Sequence, residues 1–431
     1  EVECLVPDIT GNARGKFIPA HQFLEMGEPR LPEAILVQSV TGQYCDEHSE
    51  LVSPTDGDMI LQPDVSTLRV VPWAREPTAQ IIHDCYTMDG KPHPLSTRNV
   101  LRNVLNLYEA EGLKPVVAPE VEFFLVARNL DPDSVLQPPK GRSGRAETSR
   151  LSYSIDAVAE FEDFVEDMYA YAEAQKLRVD TLIHENGAAQ MEINFLHGDA
   201  MELADQVFAF KRTVRETAHK YGIYATFMAK PMQTECGSAM HIHQSLVQAD
   251  TGVNIFADEN GEHSDAFLNY IAGLEHYTPE LISLYAPNVN SYRRLAPDIS
   301  APISLCWGLD NRTTAFRVPH SSAAATRVEN RFPGADVNPY LAIAASLASG
   351  YLGMKRKLKP SKPHQGVANE DEVEVARTLE EGLRNLQKSP EVREVFGELF
   401  LRAYAAVKRD EFEEFNRVIS SWEREHLLLQ V

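Results

Sequence analysis

Positive charge is scarce. Against 63 Asp and Glu the 431 residues carry 41 Lys and Arg, for a formal net charge of −22. A surface of that sign repels phosphate backbones and anionic headgroups, which argues against nucleic acid and membrane partners and favours cationic ligands. Long hydrophobic runs are missing too, so no segment is expected to span a bilayer. Cysteine is sparse: five residues (Cys4, Cys45, Cys85, Cys236, Cys306), odd in number and widely scattered. That spacing fits neither a disulfide framework nor a zinc site, and it points to a reducing, cytoplasmic setting. No signal-peptide pattern is read at EVECLVPDI, which already alternates like a strand. The lack of an initiator Met there leads us to expect a short preceding leader. Internal repeats and low-complexity tracts are absent.

What is present divides near residue 95. Up to that point short β-type runs (VECLVPDI, GKFIP, PEAILVQS, TLRVVPW) are punctuated by Gly, Pro and Asp. Ser96 or Thr97 can then cap a helix whose Val100, Val104 and Leu107 recur at helical spacing. Two domains are expected, 1–95 and 96–431. In the second, PVVAPEVEFFLVA reads as a buried strand and residues 128–150 as a surface excursion. Asp156 begins an amphipathic helix, and a second runs from Met201 to Tyr221 with Gly222 as its stop. Asn338 and Pro339 open a third, closed by Lys355, Arg356 and Lys357.

Chemistry concentrates in a few stretches. GSAMHIHQSL places His241 and His243 two apart in a strand, so both imidazoles leave one face. A solitary pair of that kind reads equally well as one hydrogen-bonded ring beside one exposed ring. PEVEFF sets Glu120 and Glu122 on one face of an apolar strand, where like charges raise each other's pKa unless a cation compensates them. HENGAAQMEINF adds Glu185 and Glu192, and TRVENRFPG adds Glu329 between Arg327 and Arg331. Each pair alone reads more readily as solvated surface. Together, oxygen-rich ligands with an imidazole suit magnesium or manganese rather than zinc. NSYRRL and NRTTAFRVP contribute Arg293, Arg294, Arg312 and Arg317, whose paired donors suit phosphate and carboxylate. Divalent metals beside an arginine cluster point to phosphoryl transfer.

These stretches, in the order PEVEFF, HENGAAQME, KPMQTECGSAMHIHQSL, NSYRRL, NRTTAFRVP and RVENRFPG, resemble the glutamine synthetase superfamily over nearly the whole chain. The opening DITGNARGKFIP looks like the branch that ligates glutamate to polyamines, the γ-glutamylputrescine synthetase type. The resemblance implies an α+β fold, with an N-terminal β-grasp domain and a catalytic domain whose antiparallel half-barrel is flanked by helices. It also implies a homo-oligomer, a dodecamer of two hexameric rings with active sites shared between subunits. Carried over by motif, Glu122, Glu185 and Glu192 would hold one Mg2+ or Mn2+, and Glu120, His241 and Glu329 a second, with two or three metals per site. His243, Ser245 and Arg327 would bind ATP, and Gly237, Arg294 and Arg331 glutamate. Arg312 and Arg317 would face the transferring phosphoryl group. The implied reaction phosphorylates the γ-carboxylate of glutamate, and an amine then displaces phosphate.

Two departures bear on the amine. Where ammonia-using members carry an Asp that binds ammonium, this chain has Val40 or Thr41. Six residues after Arg294, where those members carry a flap Glu, it has Ser300. A polyamine such as putrescine is therefore the expected acceptor, with Asp298 as candidate proton acceptor and Tyr44 and Asp46 as candidates for cradling the distal ammonium. The alternative is glutamine synthesis from ammonia, with Asp298 or Asp46 supplying the lost charge. A non-catalytic ring scaffold would be expected to lose metal carboxylates, and this chain keeps them.

Overall fold

The computed structural model describes residues 1–148, 150–296, 301–368 and 375–431. Helix and sheet are mixed, with two sheets following one another along the chain. The first contains β1 (Val2–Pro7), β2 (Ala13–Ile18), β3 (Arg30–Pro32), β4 (Asp58–Pro63), β5 (Arg69–Val70) and β6 (Ala79–Tyr86). Its order is β2-β1-β6-β4-β3, with β5 also on β6. PEAILVQS does not form the expected strand. It coils into a 3-10 turn, Glu33–Val37, that turns Ala34, Leu36 and Val37 inward. An unbroken apolar run lacks the alternation that separates the two conformations. TLRVVPW yields only the two residues of β5, because Pro72 soon follows without an N–H for the ladder.

The second sheet contains β7 (Leu113–Ala127), β8 (Val179–His184), β9 (Gln190–Phe195), β10 (Gly198–Asp199), β11 (Ile223–Thr226), β12 (Met240–Gln248), β13 (Trp307–Leu309), β14 (Phe316–Val318) and β15 (Val328–Asn330). Its order is β13-β14-β15-β12-β7-β9-β8, with β10 and β11 also on β7. All its pairs are antiparallel except β13 with β14. β7 alternates as a central strand must. Val121, Phe123 and Leu125 face the main core, where Phe123 packs 6.5 Å from Phe210 of the helix Ala200–Lys220. Glu120 and Glu122 take the opposite face.

Caps largely follow the sequence. Asp199 caps Ala200–Lys220 through the Met201 and Glu202 amides, and Asn338 caps Pro339–Arg356 with Pro339 in its first turn. The helix expected from Asp156 is broken in two, Ile155–Ala159 and Glu162–Ala174, where Phe161 leaves helical geometry and buries its ring. Helices Asp265–Tyr285 and Pro339–Arg356 touch through Gly273 and Gly353. A Cβ on Gly273 would lie 2.1 Å from the Ser349 carbonyl oxygen, so only glycine permits that approach.

A buried cation ties the first sheet to the helix Ala200–Lys220. Arg98 on helix Thr97–Ala110 has no exposed surface, and it donates to Asp84 on β6 (2.5 Å), Asp64 beyond β4 (2.8 Å) and Asp205 on Ala200–Lys220 (2.8 Å). No helix among the described residues is long and apolar enough to cross a membrane.

Candidate active site

Strand register assembles the site. β7 pairs Glu122 with Glu192 and Glu120 with Asn194 of β9. On its other side β7 pairs Glu120 with His241 of β12. β12 pairs His243 with Glu329 of β15, which in turn faces Arg317 of β14. Directly opposed residues share a face, so one row across five strands carries the carboxylates, both imidazoles and an arginine. Glu185 joins from the turn after β8.

One oxygen each from Glu122, Glu185 and Glu192 lies within 4.8 Å of the other two. Glu120, His243 and Glu329 form a second such group, and Glu120, Glu192 and His241 a third. His241 Nδ1 is 3.5 Å from both Glu120 Oε2 and Glu329 Oε1. His243 Nε2 is nearer, 2.9 Å from Glu120 Oε1, and Arg327 Nε donates to its Nδ1 at 3.3 Å. Both rings therefore meet the same carboxylate.

The electrostatics fit a bound cation. Burial, reinforced by Glu120, Glu122 and Glu185, pushes Glu192 up to about 10. Burial and the charge of Glu185 push Glu122 up to about 8. Glu120 goes the other way: burial would raise it, but hydrogen bonds from the two histidines outweigh that and lower it. Glu329, fully buried, is likewise held down to about 2 by the Arg331 charge against the effect of burial. Carboxyls forced toward neutrality by burial and mutual repulsion are what a hard divalent ion would relieve, and the donors are those magnesium and manganese take.

Two cavities flank the row. One, of about 320 Å³, is lined by Gly237, Arg294, Arg331 and Tyr153 as well as the carboxylates. The other, of about 600 Å³, is lined by His243, Ser245, Arg317 and Arg327. Arg312, exposed at the rim, lines both. Arg294 is buried and donates to the carbonyls of Phe332 (2.7 Å) and Arg331 (2.9 Å). Gly237 is required beside it, since a Cβ there would meet Arg294 Cγ at 2.6 Å and the Ala229 carbonyl at 2.8 Å. Arg317 donates to Glu329 (2.9 Å) and Asp310 (2.7 Å), and Arg331 also pairs with Glu329.

Asp298 and Ser300 lie outside the described residues. Tyr44 and Asp46 line neither cavity of their own chain. Their segment is tied instead to the helix Glu398–Asn416, where the Val40 amide donates to Glu411 (2.7 Å) and the Asp46 amide to Asp410 (2.8 Å).

Some residues of the site were not singled out from sequence. Gln190 is fully buried, and its Nε2 reaches Glu122 Oε2 (3.2 Å) and the Gly237 carbonyl (3.0 Å). Asn194 faces Glu120, and the period-2 continuation from Glu192 was the signal for it. The 128–150 excursion returns to the site at its end. Glu147 Oε2 accepts from His184 Nε2 (3.0 Å) and from the Ala189 amide (2.8 Å).

Residues 94–427 match the family model described as glutamine synthetase, catalytic domain. The chain belongs to the glutamine synthetase family. It is 34% identical to the γ-glutamylputrescine synthetase of Escherichia coli, over 99% of this chain and 91% of that one. To a glutamate–isopropylamine ligase of a Pseudomonas species it is 36% identical, over 96% and 92%. The glutamine synthetase of Thermus thermophilus matches at 32% over 92% of each chain. Among solved structures, the GmaS complex with ADP superposes with a TM-score of 0.86 at 27% identity, covering 99% of this chain and 96% of that one. As a member of this family the chain is an ATP-dependent glutamate–amine ligase.

Proposed function

We propose that this ligase joins the γ-carboxylate of glutamate to a di- or polyamine, putrescine or a homologue, through γ-glutamyl phosphate. The observation that carries the reading is the register that sets Glu120, Glu122, Glu192, His241 and Glu329 in one row between two arginine-lined cavities. Glu122, Glu185 and Glu192 would hold one Mg2+ or Mn2+, and Glu120, His241 and Glu329 another. Such ions supply neutralising charge to phosphoryl oxygens and to the substrate carboxylate.

The chain's own groups do the rest. Arg294, Arg331 and the backbone at Gly237 bind glutamate in the smaller cavity. His243, Ser245 and Arg327 line the larger one, where ATP fits. Arg312 and Arg317 stabilise charge on the phosphoryl group as the γ-carboxylate attacks it. Asp298 accepts the proton of the incoming amine, which then displaces phosphate.

Val40, Thr41 and Ser300, standing where acids that serve ammonium are expected, favour a larger amine. The names of the Escherichia coli and Pseudomonas relatives point the same way. Use of ammonia is the second reading, supported by glutamine synthetase relatives of similar identity.

In this reading residues 1–95 form the β-grasp domain and 96–431 the catalytic domain, with the nine-stranded sheet as its half-barrel. The protein works in the cytoplasm as a dodecamer of two hexameric rings. Tyr44 and Asp46, exposed and away from their own cavities, serve the site of a neighbouring subunit. The test is mass spectrometry of the products from glutamate, MgATP and putrescine. A mono-γ-glutamyl amide formed in step with phosphate supports the reading, and phosphate without an amide contradicts it.

A further inference from the structure

The turn from β8 to β9, which carries Glu185, is held by side chains, two of them from distant parts of the chain. Its three successive amides 187, 188 and 189 each donate to a side-chain oxygen: Gln190 Oε1 (2.9 Å), Glu235 Oε2 (3.1 Å) and Glu147 Oε2 (2.8 Å). Ala189 sits at φ +55°, a left-handed conformation that a residue with a Cβ keeps only when its surroundings hold it. Gly187 lies so close over the Phe124 ring that a Cβ would come within 2.4 Å of it. The turn is therefore tight, strained and externally fixed.

Glu147 holds both ends of it. The same Oε2 that takes the Ala189 amide also takes His184 Nε2 at 3.0 Å, while His184 Nδ1 donates to the carbonyl of Glu185 at 2.7 Å. Both ring nitrogens thus face acceptors on either side of the residue whose carboxylate enters the site. The other oxygen of Glu147 is buried with no partner among the described residues, so the hydrogen bonds of the carboxylate are these two. Neighbouring residues brace the same turn: the Tyr153 amide donates to the His184 carbonyl (2.9 Å) and Ser152 Oγ to Asn186 Oδ1 (2.6 Å).

We infer that Glu147 is a positioning residue for Glu185, acting through His184 and the Ala189 amide to set the carboxylate where it can ligate a divalent ion. The inference rests on the reading of Glu185 as a ligand. Groups that orient metal ligands typically contribute about 10- to 100-fold in affinity.

The test is Mn2+ binding to the full-length protein without nucleotide or glutamate, followed by the electron paramagnetic resonance signal of free Mn2+. Glu185→Ala should remove a tight site, and Glu147→Ala should weaken it by about tenfold or more. Glu147→Gln should weaken the site less than Glu147→Ala does, because an amide oxygen in the place of Oε2 still accepts from the Ala189 amide and from His184 Nε2. Should the alanine variant lack a native circular dichroism spectrum, Glu147→Asp gives the same reading. Its carboxylate, drawn back by one methylene, cannot span both partners, and Mn2+ affinity should fall with the fold intact. Wild-type Mn2+ affinity in Glu147→Ala, or in a folded Glu147→Asp, would overturn the inference. Wild-type affinity in Glu185→Ala would overturn the ligand assignment beneath it instead.

Discussion

His243 Nε2 lies 2.9 Å from Glu120 Oε1, closer than His241, whose Nδ1 is 3.5 Å from the other oxygen of the same carboxylate. Arg327 donates to His243 Nδ1, which leaves Nε2 to carry the proton and give it to Glu120. His243 thus links Arg327, on the wall of the larger cavity, to the carboxylate row, whereas His241 stands between Glu120 and Glu329.

The two histidines should therefore separate kinetically. His241→Ala is expected to raise the Mg2+ concentration for half-maximal activity and to lower kcat by at least about tenfold. His243→Ala should act mainly on the KM for ATP. Steady-state kinetics over a Mg2+ series and an ATP series checks the split. Equal effects of both variants on both parameters would contradict this division of roles.

Arg98 offers a test of stability. Removing it leaves Asp64, Asp84 and Asp205 facing one another with their shared cation gone. Arg98→Met is expected to cost about 3–5 kcal/mol, the range for breaking a buried ion pair from one side. Urea unfolding would measure it, and a loss below about 1 kcal/mol would show that the three acids find other compensation.

His83 gives a pH dependence. The ring is fully buried, its Nδ1 is 3.2 Å from the Ile81 carbonyl, and its Nε2 makes no hydrogen bond among the described residues. Burial pushes it from 6.5 down to about 4, with Arg98 opposing protonation and Asp84 favouring it. Between those values the unfolded chain takes up a proton that the folded chain refuses. This contribution to stability is therefore complete above pH 6.5 and is lost as pH falls toward 4, by about 3 kcal/mol in all. His83→Asn, which keeps a neutral donor, should lose that much less over the same interval. Parallel pH curves for the two proteins would rule this out.

Much of the site was legible because its residues lie on strands. A period of two predicts that Glu120 and Glu122, and His241 and His243, share faces, and the register then brings those faces together. What could not be read is register itself, which is a property of pairs of distant segments. That is why the sequence alone does not say that His243 would meet Glu120 more closely than His241 does. Glu147 was missed for a related reason. It sits in a proline- and glycine-rich stretch with no periodicity, and only the fold returns it to His184. PEAILVQS went wrong through its own composition, since an unbroken apolar run fits a buried 3-10 turn as well as a strand.

Charge makes the choice of amine testable. A diamine is doubly protonated near neutral pH, so a protein of net charge −22 raises its local concentration, an advantage that salt should erode. The measurement is kcat/KM for phosphate release with glutamate and ATP, comparing putrescine, spermidine and ammonium at low and high ionic strength. A polyamine should exceed ammonium, by a margin that narrows as salt rises. Ammonium equal to or better than every polyamine would rule out a polyamine ligase and make the enzyme a glutamine synthetase.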